Sequence, residues 1–128
     1  MNPENLLYSR DHEWILAEDG KARVGITFHA QEALGDVVFV ELPAEGDHFQ
    51  SGESFGTVES VKAVSDCFAP VSGTIRAVNE NLLASPELLN QDPYGDGWLV
   101  EIELDESELP GDLMTSAAYD EFLSREEA

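Results

Sequence analysis

Along most of this chain apolar and polar residues alternate in short runs, and many of the runs close on glycine, proline, asparagine or aspartate. Alternation of that kind marks half-buried strands joined by tight turns. Residues 8–15 place Tyr8, Trp14 and Ile15 around a polar cluster that runs from Ser9 to Glu13. Asp19-Gly20 suits the left-handed backbone of a two-residue hairpin, and residues 21–26 return as the partner strand. Thr27 stands where it can cap a short helix over 29–34, which Gly35 ends. Residues 36–42 are the most apolar run and form the predicted central strand, stopped by Pro43. Two further runs, 54–58 and 64–70, are rich in small and β-branched residues, with Gly52 and Pro70 at their outer ends. They predict a hairpin with Lys62 at its tip.

Beyond Pro70, residues 73–79 predict another strand, and 85–90 a short helix with Ser85 as cap and Pro86 in the first helical position. Residues 92–97 are dense in turn formers, and 98–104 alternate cleanly and close the β part. From Asp105 the pattern becomes helical. Ala118, Tyr119, Phe122 and Leu123 share one face, which predicts a small cap docked on the sheet. A faint repeat runs glycine, strand, turn region, strand over 35–61 and again over 73–104. It predicts two similar β units packed face to face, with the lysine hairpin at one end and Gly95-Asp96-Gly97 in the matching place. The expectation is a mainly β domain over 1–128, with its β core at about 8–104 and a helical segment at about 105–128.

Composition narrows the chemistry. Six basic against 27 acidic side chains give a net charge of −21. That balance excludes a sequence-independent grip on nucleic acid or on anionic membranes, both of which need lysine and arginine clusters. It fits a protein that docks on basic surfaces, and equally one that keeps a solvated surface. The single cysteine, Cys67, rules out an internal disulfide and favours a reducing compartment. The first residues lack the pattern of a secretory leader, and no apolar run is long enough to span a membrane. The expectation is a monomer in the bacterial cytoplasm, or in the mitochondrial matrix once a presequence is removed.

Gly52-Glu53-Ser54-Phe55-Gly56 matches the G-x-S-x-G pattern of serine hydrolases. That chemistry needs a sharp turn at the serine and then a helix, whereas a strand-like run follows Ser54. His12-Glu13 begins a zinc-helix pattern, but Leu16 fills the place of its second histidine, and His29 and His48 have no spaced partner. These histidines read as surface or core residues. Cys67 has Asp66 as neighbour, which opposes a thiolate, so it reads as a small apolar strand residue. Of the chain's two lysines, Lys21 follows a plain hairpin turn, while Lys62 sits on a loop tip between Val61 and Val64. A tip carried by a rigid sheet presents its side chain to other molecules. A solubility residue fits Lys62 as well on local chemistry alone.

Several segments carry a resemblance. Val58-Glu59-Ser60-Val61-Lys62-Ala63, with Ser65-Asp66 and Ala69-Pro70-Val71-Ser72-Gly73 after it, resembles the lipoylation segment of the H protein family of the glycine cleavage system. Asp11-His12-Glu13-Trp14, Gly25-Ile26-Thr27 with His29-Ala30-Gln31, the stretch from Leu34 to Pro43 and the stretch from Leu89 to Trp98 resemble that family in the same order. The resemblance covers nearly the whole chain. It implies a flattened β-barrel sandwich hybrid of the lipoyl/biotinyl-domain type, with short helices and a C-terminal helical cap. It implies lipoic acid in amide linkage on Lys62, and a carrier and cosubstrate, not an enzyme.

The implied partners are a pyridoxal-phosphate glycine decarboxylase, an aminomethyltransferase that uses tetrahydrofolate, a dihydrolipoyl dehydrogenase with FAD and NAD, and a lipoate-attaching enzyme. The arm would carry the aminomethyl group of glycine between them. A cationic amine held on the carrier calls for carboxylates, and the resemblance points to Glu13 and Asp66 as its contacts. Two positions depart from the family: Phe28 stands where many relatives have an acid, and Asp11 where many have serine. Three other readings stay open. An H-like lipoyl relay would use the same lysine, a biotin carrier would flank it with methionines in place of Val61 and Ala63, and a hydrolase would use Ser54.

Overall fold

The computed structural model describes residues 2–105 and 109–126. In chain order these residues form strands β1 (Leu7–Tyr8), β2 (Glu13–Glu18) and β3 (Lys21–Ile26), helix α1 (Phe28–Leu34), and strands β4 (Val37–Glu41), β5 (His48–Phe49), β6 (Ser54–Ser60), β7 (Val64–Phe68) and β8 (Gly73–Val78). Helices α2 (Asn81–Ala84) and α3 (Leu88–Gln91), strand β9 (Val100–Leu104) and helix α4 (Ser116–Glu126) follow.

The local signals act where they stand. Asp19 and Gly20 take φ of 51° and 77°, the left-handed pair that a two-residue turn between right-twisted strands requires. β2 and β3 then pair antiparallel from Glu18↔Lys21 to Glu13↔Ile26. The Thr27 hydroxyl accepts the Ala30 N–H and starts α1, and Gly35, at φ 79°, ends it.

Two sheets result, one ordered β1-β2-β3-β9-β8-β5 and one ordered β4-β6-β7. Val24, Ile75 and Ile102 of the first and Val40, Val58 and Cys67 of the second bury into one shared core. Each such aliphatic side chain contributes on the order of 2 kcal/mol of hydrophobic stabilisation. The architecture is the two-layer sandwich that the family resemblance implies, and no sheet closes into a barrel among the described residues. The proposed repeat maps onto two antiparallel pairs, β4–β6 in the smaller sheet and β8–β9 in the larger.

A second cluster, built on Leu6, Tyr8, Trp14 and Tyr119, fastens the C-terminal helix to β1. The Tyr119 ring stacks on Tyr8 at 4.7 Å. Its hydroxyl meets Thr27 Oγ1 and His12 Nδ1, each at 2.8 Å, so α4 also locks the start of α1. The Trp14 indole lies against Gly25, where a Cβ would come within 2.6 Å of the ring, and its N–H donates to the Pro93 carbonyl at 2.8 Å.

Four expectations are corrected. The apolar run at 36–42 is not a central strand: β4 is an edge strand, and β6 is the middle of its sheet. A bulge between Val37 and Phe39 turns Val38 and Phe39 to solvent, so high apolar content did not mean burial on both faces. Ser85 caps no helix with its side chain; it ends α2, a helix that the sequence pattern did not announce, and α3 begins after Glu87. The stretch from Tyr8 to Ile15 is two strands around a turn that puts His12 at φ 66°. The helical tail starts at Ser116, not at Asp105, and Ala118 faces solvent while Tyr119 is fully buried. The part of that expectation on 106–108 and 127–128 lies outside the described residues.

Candidate functional site

β6 and β7 pair as far as Glu59↔Val64, which leaves Ser60, Val61, Lys62 and Ala63 to build the tip. The Ser60 N–H donates to the Ala63 carbonyl at 2.8 Å. The Ser60 hydroxyl oxygen accepts the N–H groups of Lys62 and Ala63 at 3.3 and 3.1 Å. The Val61 N–H donates to the Asp36 carbonyl at 3.1 Å, tying the tip to the strand before it. Val61 and Lys62 need no left-handed backbone, because a buried serine side chain gathers the turn's donors. Lys62 is exposed, and its stem passes Gly35: a Cβ there would lie 3.5 Å from Lys62 Cε.

A groove of about 400 Å³ opens beside Ala63 and Val64 and extends towards α1 and the start of β2. Ile26, Ala30, Leu34 and Val58 give it an apolar side; Asp11, Glu13 and Asp66 give it carboxylates, with His12 and His29 among them. The fold thus brings Glu13 and Asp66 to one cavity beside the lysine tip, although β2 and β7 lie in different sheets.

The two acids are held differently. Asp66 is exposed, opposite Thr57 in the ladder. Glu13 is 2% exposed, with both oxygens engaged. The Ser9 hydroxyl donates to Oε1 at 2.7 Å, and the Phe68 N–H donates to Oε2 at 3.1 Å. Burial raises its carboxyl from 4.5 to about 8, the hydrogen bonds from Ser9 and Phe68 oppose the rise, and the charge of Asp11 adds to it. At neutral pH burial in the groove wall therefore favours the protonated acid, and a cation entering the groove favours the carboxylate.

The remaining candidates fall into place. Cys67 is buried on the groove wall, and burial with the nearby carboxylates of Glu13 and Asp66 pushes its thiol up, so it stays an unreactive thiol. Ser54 is exposed at the start of β6 with a strand after it, so the hydrolase elbow is absent. No cluster of histidine, cysteine and acids suited to a metal occurs among the described residues. Phe28 is absent from the groove lining, and its N–H donates to the Tyr94 hydroxyl at 3.0 Å. Asp11, the other departure, lines the groove.

Three features escaped the sequence reading. Ser60 clamps the tip, Ser9 holds Glu13, and His12 and His29 face one another at 4.7 Å on the groove wall. The serines had a local signal, each standing a few residues before the group it holds. The histidines had none, since the turn before β2 and helix α1 meet only in the folded chain.

A lysine held out on a braced tip, beside a groove with an apolar wall and convergent acids, is the arrangement a carrier domain needs. Comparison with known proteins makes the class particular. The family model for the glycine cleavage H-protein matches residues 6–126. A glycine cleavage system H protein of Rubrobacter xylanophilus is 56% identical over 125 residues, 98% of this chain and 97% of that protein. A probable glycine cleavage system H protein of Haloarcula marismortui is 55% identical over 117 residues, 91% of this chain and 92% of that protein. The crystal structure of a glycine cleavage system H protein from Mycobacterium marinum superposes with a TM-score of 0.89 at 44% identity, covering 95% of this chain and 98% of that one. This chain belongs to the glycine cleavage H-protein family. Its members are lipoyl carriers of the glycine cleavage system, not enzymes, and this chain is one of them. No helix among the described residues is long and apolar enough to cross a membrane.

Proposed function

We propose that Lys62 carries lipoic acid in amide linkage on Nζ, and that the groove beside it shelters the arm and its cargo. The observation that carries this reading is the placement of Lys62: exposed on a tip braced by Ser60, with Glu13 and Asp66 lining the adjoining groove. The residues suit such a group. The Lys62 stem runs past Gly35, and Ile26, Ala30, Leu34 and Val58 match an aliphatic chain. When bound, a lipoyl group supplies a disulfide that takes up electrons together with a one-carbon amine.

The chain's own part is to orient and protect. Ser60 keeps the anchor in one place, so the sweep of the arm is set by the sheet. Glu13 and Asp66 accept hydrogen bonds from the amine of the cargo, and Glu13 Oε1 or Oε2 gives up its proton as that cation arrives. The partners in this reading are glycine decarboxylase with pyridoxal phosphate, aminomethyltransferase with tetrahydrofolate, dihydrolipoyl dehydrogenase with FAD and NAD, and a lipoate-attaching enzyme. The buried free thiol suits a reducing cytoplasm. The test is the intact mass of protein from lipoate-competent cells, with peptide mapping. One lipoyl group on Lys62 is the expected result; unmodified Lys62 overturns the reading.

A further inference from the structure

Four apolar side chains stand uncovered around the lysine tip: Val38 at 50% exposure, Phe39 at 53%, Val61 at 71% and Val64 at 66%. The bulge between Val37 and Phe39 turns Val38 and Phe39 outward together. The ladder sets Phe39 opposite Glu59 and Glu59 opposite Val64, so the three share the outer face of the smaller sheet. The Val61 N–H bonds the Asp36 carbonyl, which holds the tip beside the start of β4. Glu59, exposed on the middle strand, stands between Phe39 and Val64, and Asp36, Glu41 and Asp66 on the flanking strands and loop are exposed as well. Exposed apolar groups interleaved with acids on a chain of net charge −21 fit a protein surface of opposite design, apolar contacts set among basic side chains.

Reach decides which partner this is. An unmodified lysine extends only its own stem from the backbone, so the enzyme that acylates Nζ must contact the residues beside the tip. Enzymes that act on the finished arm are met at the end of a much longer tether. We propose that the face formed by Val38, Phe39, Val61 and Val64 docks the lipoate-attaching enzyme, an inference that rests on Lys62 being the lipoylated residue. The step it serves is attack of the neutral Lys62 amine on lipoyl-adenylate: the amide C–N bond forms, the carbonyl–phosphate bond breaks, AMP leaves, and the nitrogen sheds one proton.

The test is steady-state lipoylation of the unmodified full chain by a lipoate–protein ligase with lipoate and ATP. Phe39→Ser/Val64→Ser and, separately, Val61→Ser are compared with wild type. The double variant is expected to raise KM for the carrier at least about tenfold with kcat little changed, and added salt to raise the wild-type KM. Because the replaced side chains are exposed, the thermal midpoints should stay close to wild type; Val61→Ser, on the tip itself, repeats the measurement if the double variant folds poorly. An unchanged KM in the folded variants, or a wild-type KM indifferent to salt, overturns the docking face while leaving Lys62 as the attachment point. A wild-type chain that is never modified at Lys62 overturns both.

Discussion

The chain has two lysines, and each belongs to a hairpin, yet the two hairpins are built on different principles. At β2–β3 the turn residues themselves adopt the left-handed backbone, and Lys21 follows inside the ladder opposite Glu103 of β9. At β6–β7 the turn residues are ordinary, and the conformation is held by the Ser60 side chain and the Asp36 carbonyl. The first hairpin is self-sufficient and puts its lysine in a sheet. The second is braced from outside and puts its lysine past the end of both strands. A carrier needs the second kind, because an anchor is useful only where the sheet fixes it and nothing covers it.

The largest test of this difference exchanges the lysines' chemistry. Lys62→Arg should abolish lipoylation seen by intact mass, and Lys21→Arg should leave it complete; modification that survives at Lys21 would erase the distinction. Next comes the acid beside the braced hairpin. Between pH 4.5 and about 8 the folded Glu13 keeps a proton that the unfolded chain releases. Stability should therefore fall as pH rises through that window, by on the order of a few kcal/mol, and Glu13 should contribute no slope below it. Glu13→Gln cannot titrate, so its denaturation midpoints should slope less steeply with pH than wild type. Below about pH 8 the wild-type acid is itself neutral, with one acceptor oxygen and one donor group as in the amide, so the two proteins should differ least there.

Ser60→Ala removes the acceptor for Lys62 N–H and Ala63 N–H. A loss of about 1–2 kcal/mol is expected, with faster hydrogen exchange at those amides and slower lipoylation. The smallest effect belongs to the self-sufficient turn. Gly20→Ala meets no atom within 4 Å but must hold φ 77°. It should cost about 1 kcal/mol in thermal denaturation and leave lipoylation unchanged. If Ser60→Ala altered stability alone, as Gly20→Ala is expected to, the bracing of the tip would have no bearing on its function.

What short-range patterning dictates is visible in the parts that succeed locally. Asp19-Gly20, the Thr27 cap, the Gly35 stop and the alternation of the strands each act within a few residues, and each stands in the folded chain where the pattern put it. The lysine tip was legible for the same reason, since strand runs and their end signals are local. Burial was not. Residues 36–42 promised a core strand, but which faces of β4 are covered depends on a bulge and on an edge position that only pairing with β6 creates. Nor could spacing announce the groove. Glu13 on β2, His29 on α1 and Asp66 on β7 converge because two sheets close over a common core, and the raised carboxyl of Glu13 follows from that closure. Hydrogen-bonded turns need only neighbours in sequence, whereas exposure, convergence and desolvation are properties of packing.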